Sequence, residues 1–129
     1  MATSLLDASA ILAALYEEPG CDRVHEALIE GSAMSTVNVA EVSAHLRAHD
    51  WTSGQVTDVF DDLSIEVLPF DRATALLSGA YRPRTDHLRL GLGDRACLAT
   101  ARSARLPVLT ADRAWGRLKL RGVRIVLIR

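Results

Sequence analysis

The sequence predicts an α/β fold, a three-layer α/β/α sandwich around a mainly parallel sheet of about five strands. Short apolar segments alternate along the chain with longer segments whose apolar residues recur at helical spacing. Such alternation favours parallel strands that are covered by helices on both faces. The chain has 129 residues, of which 49% are hydrophobic, which suits one buried core better than two. We therefore expect residues 1–129 to form a single domain.

Five segments are strand candidates because they are short, apolar and bounded by turn or capping residues: 3–6, 33–36, 65–68, 107–110 and 123–128. Helical spacing predicts helices over residues 10–16, 22–31, 51–63 and 71–78, a helix that begins at Asn38, and a short helix around Trp115. Asp94 follows two glycines and precedes an alanine-rich segment, so we expect it to cap the next helix. The polar residues 81–89 contain Pro83 and are expected to form a loop that leads to Asp94.

Charge is divided unequally along the chain, although the net charge is only −1. Residues 1–71 hold thirteen of the sixteen acids and two of the bases, whereas residues 72–129 hold thirteen bases and three acids. Fourteen of the fifteen bases are arginine, whose planar guanidinium suits bidentate contacts with phosphate. The basic half is typical either of a nucleic-acid contact or of an ordinary solvated surface.

The expected environment is the cytoplasm, without a membrane partner. Cys21 and Cys97 lack metal-ligand spacing, and Cys97 lies in an apolar helical segment where a small buried side chain is expected. The first twenty residues have no basic start, and no apolar segment is long enough to span a membrane.

Four acidic residues, Asp7, Glu41, Asp94 and Asp112, follow a predicted strand or lie near the start of the next helix. The carboxyl ends of parallel strands share one edge of a sheet, so we expect the four side chains to gather there. Each acid alone has a structural explanation, because Asp is a favoured helix cap and Glu41 suits a capping box with Asn38. Together they need protons or a cation, since two carboxylates about 4 Å apart repel by roughly 4 kcal/mol at an effective dielectric constant near 20.

A hard divalent cation suits such a cluster. Mg²⁺ takes one or two carboxylates, several waters and a substrate phosphate, and Mn²⁺ accepts the same oxygen ligands. A bound divalent ion lowers the pKa of water and stabilises charge at phosphorus, which indicates hydrolysis of phosphate esters. The arginines would then hold a nucleic-acid backbone without regard to its sequence.

Four short segments carry these acids: Leu5-Leu6-Asp7-Ala8-Ser9, Asn38-Val39-Ala40-Glu41, Leu92-Gly93-Asp94-Arg95-Ala96 and Leu109-Thr110-Ala111-Asp112. In this order, and over nearly the whole length of the chain, they resemble the PIN-domain ribonucleases. More narrowly, they resemble the VapC-type toxins of bacterial toxin-antitoxin pairs. The resemblance implies a PIN-like fold in which Asp7, Glu41, Asp94 and Asp112 form an acidic quartet. Asp7 and Asp94 then match the principal metal ligands, and Asp112 matches an additional or water-mediated ligand.

The activity implied by the resemblance is that of a metal-dependent endoribonuclease, in which water attacks an RNA phosphodiester with Mg²⁺ or Mn²⁺ bound. Glu41 is the candidate for orienting or deprotonating that water. Thr110 matches a supporting hydroxyl of the family, and Ser9 is a second supporting candidate just beyond Asp7. The resemblance also implies a homodimer that a cognate antitoxin holds inactive by covering the acidic groove.

Two other functions remain open from the residues alone. A receiver-like phosphorylation switch would also have a Mg²⁺-binding acidic pocket, but it needs a lysine after a late strand, and Lys119 precedes Gly122 instead. A non-catalytic protein-binding module would use the four acids only as helix caps. Zinc binding is disfavoured, because no glutamate stands between His45 and His49 as in an H-E-x-x-H motif.

Overall fold

Five parallel strands form one sheet in the computed structural model, which describes all residues from Met1 to Arg129. The strands are β1 (Ser4–Leu6), β2 (Ser32–Ser35), β3 (Glu66–Leu68), β4 (Val108–Thr110) and β5 (Ile125–Leu127). Their order in the sheet is β3-β2-β1-β4-β5, and every neighbouring pair is parallel. The predicted α/β class and its five-stranded parallel sheet are confirmed.

Seven α-helices connect the strands: α1 (Ala8–Leu15), α2 (Cys21–Glu30), α3 (Thr36–Ala48), α4 (Ser53–Asp62), α5 (Arg72–Ala80), α6 (Arg82–Thr85) and α7 (Leu92–Ala104). Two short 3-10 helices, Asp86–Leu88 and Arg113–Arg117, complete the connections. None of the helices combines the length and the hydropathy that a membrane-spanning segment requires.

The sheet separates two hydrophobic cores, as a three-layer sandwich requires. Successive side chains of β1 point to opposite faces, so Leu6 joins the core under α1 to α4, whereas Leu5 joins the core under α5 and α7. Both leucines are completely buried, and burial of each stabilises the fold by roughly 1.5–3 kcal/mol. Helix α7 is buried along residues 96–101 because its small side chains pack between the sheet, α3 and α5.

The order of the strands reverses between β1 and β4. The first three strands succeed one another toward one edge, whereas β4 lies on the other side of β1 with β5 beyond it. The chain leaves β1 and β4 toward opposite faces, and this opens a crevice at the carboxyl ends of these strands, where open α/β sheets bind ligands. Asp7 directly follows β1 and Thr110 ends β4, so both lie at this crevice.

Helix α7 begins earlier than the sequence predicts. Its N-cap is Gly91, so the prediction that Asp94 caps the helix is wrong. Asp94 lies in the first turn and accepts a hydrogen bond from the Gly91 N–H at 3.1 Å. A glycine cap has no side chain that could accept a hydrogen bond from the helix start. The acid three residues later instead accepts a hydrogen bond from the backbone N–H of the capping residue.

Helix α3 also begins before the predicted position. Ser35 is its N-cap and accepts a hydrogen bond from the Val37 N–H at 3.2 Å, so Asn38 lies inside the helix instead of opening it. Because Asn38 does not cap the helix, the predicted capping box with Glu41 does not form.

Residues 82–88 are helical, so the predicted loop over 81–89 is wrong: they form α6 and the first 3-10 helix. Pro83 is accommodated in the first turn, where a backbone N–H has no helical partner to lose. The Thr85 hydroxyl donates to the Tyr81 carbonyl at 2.9 Å, and this bond helps to hold the short helix together.

Candidate functional site

Asp7 is a buried carboxylate at the carboxyl end of β1. It is 4% exposed and caps α1 by accepting a hydrogen bond from the Ala10 N–H at 2.8 Å. Ser9 donates to its Oδ1 at 2.7 Å, and Thr110 donates to its Oδ2 at 2.6 Å. Burial raises the pKa of Asp7 from 3.8 to about 6, although the three hydrogen bonds act to lower it. The ionised form of Asp7 is therefore costly unless a positive charge lies nearby.

Two hydroxyl groups connect Asp7 to the turn after β4. The Thr110 hydroxyl, which donates to Asp7, also accepts a hydrogen bond from the Asp112 N–H at 3.0 Å. The Ser9 hydroxyl accepts from the Ala111 N–H at 2.9 Å and lies 3.3 Å from the Thr110 hydroxyl. The structure thus brings both predicted supporting hydroxyls into contact with one carboxylate.

Asp94 and Asp112 lie near Asp7 at the same edge of the sheet. Burial raises the pKa of Asp94, and the negative charge of Asp112 raises it further. The charge of Asp94 in turn adds to the raised pKa of Asp7. Asp112 caps the 3-10 helix after β4 by accepting a hydrogen bond from the Ala114 N–H at 3.0 Å. The three aspartates therefore act on one another electrostatically, as expected for acids that gather at one edge.

Glu41 enters the site from α3, against the start of α7. A Cβ atom on Gly93 would overlap the Glu41 carboxylate, so this glycine leaves the space that the carboxylate occupies. Asn38 is 1% exposed and donates from Nδ2 to Glu41 Oε2 at 2.8 Å and to the Gly93 carbonyl at 3.1 Å. The other amide atom of Asn38, Oδ1, is buried without a hydrogen-bond partner. Asn38 thus ties the Glu41 carboxylate to α7.

The positions of Asn38 and Gly93 were not predicted from the sequence as parts of the site. The sequence does contain one feature that indicates a role for Asn38. Its amide precedes Glu41 by three residues, a spacing that places both side chains on one face of a helix. For Gly93 no local signal existed, because its role depends on a residue of another helix.

Cys97 shows that the acids converge. This thiol is completely buried, and burial raises its pKa well above the ordinary value. The charges of Asp7, Asp94 and Glu41 raise it further. One buried sulfur therefore lies within electrostatic reach of three of the four predicted acids.

The acids offer hard oxygen donors, but they do not form a three-ligand cage. No three acidic, histidine or cysteine side chains lie close enough to hold one metal ion. Asp7 already accepts three hydrogen bonds, which leaves about one free lone-pair direction, whereas Asp94 accepts one from the backbone. The donor set fits a hard cation that one or two carboxylates bind directly and that waters complete, as is typical of Mg²⁺.

Comparison with known protein families assigns this architecture to one of them. The PIN domain family model matches residues 4–120, which is most of the chain. The chain belongs to the PIN domain family. Comparison of the PIN domain with curated proteins gave no match.

Several solved structures resemble this PIN domain over nearly its full length. A toxin-antitoxin complex from Klebsiella pneumoniae is 22% identical with a TM-score of 0.74, and 98% of each chain is covered. DNA-bound VapBC from Salmonella typhimurium is 20% identical with a TM-score of 0.73, and 100% of each chain is covered. A VapBC family member from Mycobacterium tuberculosis is 24% identical with a TM-score of 0.67, covering 98% of this chain and 99% of its own. These similarities confirm the PIN-like fold.

We predict that the metal-free PIN domain loses stability as the pH rises from about 4 to about 6. The folded state keeps the Asp7 proton up to a pKa of about 6, whereas the unfolded chain releases it near 3.8, so the folded state binds more protons in this interval. The free energy of unfolding should fall by about 3 kcal/mol across it. Asp94 acts in the same direction because its pKa is also raised. Chemical denaturation in chelator at several pH values measures this change.

Asp7→Asn is the control for this measurement, since it preserves the shape of the capping side chain and removes its titration. Its free energy of unfolding should depend less on pH over the same interval. If the variant and the unchanged protein had the same pH dependence, Asp7 would not be the responsible group.

We predict that Gly93→Ala lowers the free energy of unfolding by about 1 kcal/mol. The new methyl group displaces the Glu41 carboxylate and breaks its hydrogen bond with Asn38, which costs about 1–3 kcal/mol and outweighs the helix gain of alanine. Gly79→Ala is the matched control, because a Cβ atom there meets nothing within 4 Å. That variant should gain about 0.5–1 kcal/mol. Equal stabilisation of both variants in urea denaturation would contradict the close approach.

Proposed function

We propose that this PIN domain is a metal-dependent endoribonuclease that acts as the toxin of a type II toxin-antitoxin pair. The observation that carries the proposal is the gathering of Asp7, Glu41, Asp94 and Asp112 where the strand order reverses. Membership of the PIN family supports nuclease chemistry. Solved toxin-antitoxin complexes of the same fold support the role of toxin. In this proposal residues 1–129 act as one nuclease domain.

Asp7 and Asp94 are the proposed direct ligands of Mg²⁺ or Mn²⁺, and Asp112 is an additional or water-mediated ligand. When bound, such an ion lowers the pKa of water and offsets negative charge at phosphorus. Thr110 and Ser9 orient the Asp7 carboxylate through their hydrogen bonds. Mutual repulsion and burial already make the ionised aspartates costly, so a cation at this place is favourable.

Glu41 is the proposed group that orients or deprotonates the attacking water. Asn38 donates to Oε2 of Glu41, which leaves Oε1 to accept a hydrogen bond from a water molecule. The water oxygen forms a bond to phosphorus and gives up a proton to Glu41 or to solvent. The bond from phosphorus to the 3′ ribose oxygen breaks, and that oxygen takes up a proton from solvent. This course yields a 5′-phosphate on one product and a 3′-hydroxyl on the other.

We further propose that the toxin is a cytoplasmic homodimer and that a cognate antitoxin holds it inactive by covering the acidic groove. Toxin-antitoxin complexes of the same fold support the antitoxin partner. An antitoxin arginine suits this position, because a guanidinium binds a carboxylate cluster well and places a positive charge where the metal would bind.

The receiver-like switch has less support than the nuclease. Lys119 lies in the connection between the second 3-10 helix and β5, not at the carboxyl end of a strand. The charge that such a switch needs beside its acidic pocket is therefore not supplied by the only lysine of the chain.

We predict that the purified protein, freed of antitoxin, cleaves cellular RNA with Mg²⁺ or Mn²⁺ and not with chelator. Asp94→Asn should lower the cleavage rate by at least on the order of 100-fold, because it removes the charge of a proposed ligand. Sequencing of the fragments measures the cleavage and identifies the products. A rise of the thermal midpoint with Mg²⁺, lost in the variant, reports metal binding independently of activity.

Asp71→Asn is the matched control, because Asp71 also binds a backbone N–H at a helix start, that of Thr74 at 2.9 Å, but is exposed. The Asp71→Asn variant should cleave RNA at the same rate as the unaltered protein. If a folded Asp94→Asn variant cleaved equally well, the acids would serve only as caps and the non-catalytic module would be the better description.

We predict that light scattering of the purified protein gives twice the 14.0 kDa mass of the chain. Addition of the cognate antitoxin should abolish RNA cleavage, because the antitoxin covers the acidic groove. A single-chain mass at micromolar concentration would refute the homodimer, and undiminished cleavage in the complex would refute the inhibitory role of the antitoxin.

A further inference from the structure

A basic surface lies at the edge of the sheet opposite to the acidic site. Helix α7 begins beside Glu41 at the carboxyl edge and leads back to the start of β4, so it ends at the amino edge. Arg102 is eight residues after Asp94, which is about 12 Å along the helix axis. Two cavities of about 270 Å³ and about 550 Å³ lie there, and Arg102 lines both.

Arginines supply the charge of both cavities. Arg84, Arg102 and Arg121 line the smaller cavity, Arg102 and Arg105 line the larger one, and no acidic side chain lines either. The only ion pair of the molecule joins Arg82 to Asp86, so no carboxylate neutralises these four guanidinium groups. Positive charges that share a concave surface repel one another and attract anions.

Arg102 is held in place between the two cavities. Its Nη1 donates to the Arg121 carbonyl at 3.0 Å, and Gly122, with a φ of 73°, leaves the space that the guanidinium occupies. A Cβ atom on Gly122 would overlap this guanidinium. Arg84 approaches from α6, and both Arg84 and Arg102 act on Tyr81 in the cavity wall, where their charges oppose the rise in pKa that burial causes. The positive groups thus converge from three separate elements.

We propose that these two neighbouring cavities, which share Arg102 and are together called the arginine cavity, form a second anion site that binds the phosphate backbone of RNA away from the bond that is cleaved. Guanidinium groups bind phosphate in a bidentate manner, and backbone contacts require no particular base. The choice of RNA rests on the ribonuclease function proposed above. Because the arginine cavity lies at the amino edge of the sheet and the acids lie at the carboxyl edge, the cavity strengthens the binding of long RNA and leaves the chemical step unchanged.

Fluorescence anisotropy of labelled single-stranded RNA tests the site, with Asp94→Asn in every protein so that the RNA stays intact. Arg84→Gln/Arg121→Gln removes two charges and leaves Arg102 and its hydrogen bond in place. The negative slope of log affinity against log salt concentration should become shallower by about 1.4, because two phosphate contacts are lost. The affinity for long RNA should fall on the order of tenfold. Binding of an oligonucleotide too short to reach the amino edge should not change.

Arg47→Gln/Arg129→Gln is the control of equal charge, because these exposed arginines donate only to the carbonyls of Trp51 and Pro19. This control should bind long RNA like the parent protein. An equal loss in both double variants, or an unchanged salt slope in the cavity variant, would overturn the site. If inorganic phosphate bound to the arginine cavity but the cavity variant kept its full affinity for RNA, the assignment to RNA would be overturned.

Cleavage by proteins that retain Asp94 separates this proposal from the proposed function. The cavity variant should cleave short RNA at the same rate as the protein with all its arginines. For long RNA its KM should rise on the order of tenfold and its kcat should stay unchanged. If the protein with all its arginines cleaved no RNA, the proposed nuclease function would be refuted. Loss of RNA binding in the cavity variant would then still support the arginine site.

Discussion

A buried carboxylate between β1 and β4 is the constraint on which the site depends. Asp7 is almost inaccessible to solvent, yet it accepts hydrogen bonds from the start of α1 and from Thr110, which is 103 residues further along the chain. Burial of an isolated charge costs several kcal/mol, so three donors and the tendency to hold a proton or a cation make this position tolerable. The bond from Thr110 also joins the ends of the two strands at the place where the strand order reverses.

Helix capping and a functional role are compatible for these acids. Asp7 caps α1, Asp112 caps the 3-10 helix after β4, and Asp94 bonds to the first residue before α7. A capping bond uses one carboxylate oxygen and restricts the side chain, so the second oxygen stays available for another partner, as it does when Asp7 accepts from Thr110. Each acid is thereby positioned by the helix that it caps or begins.

Helix α7 connects the acidic and the basic edges of the sheet. Its N-terminal half holds Asp94, where the partial positive charge of a helix start favours a carboxylate. Its C-terminal end carries Arg102 and Arg105, where the partial negative charge favours guanidinium groups. The small side chains of residues 96–101 let this helix lie deep between the sheet and α5, so the two charged edges belong to one buried element.

The sequence by itself determined the α/β class, the five strand segments, the capping roles of Asp7 and Asp112, and the edge at which the acids lie. These features follow from periodicity and from the rule that parallel strands share a carboxyl edge. The catalytic roles of the acids stay predictions. Only the tertiary structure decided the order of the strands, the bond between Asp7 and Thr110 and the convergence of the arginines.

The role of Asn38 shows the physical reason for this division. Its amide reaches the Gly93 carbonyl 55 residues away, so its function depends on how two helices pack and on a glycine that leaves room for the Glu41 carboxylate. The wrong starts of α3 and α7 have the same cause, because several nearby residues were able to cap and packing selected among them. Local patterns determine which elements form, whereas contacts between distant residues determine which atoms meet.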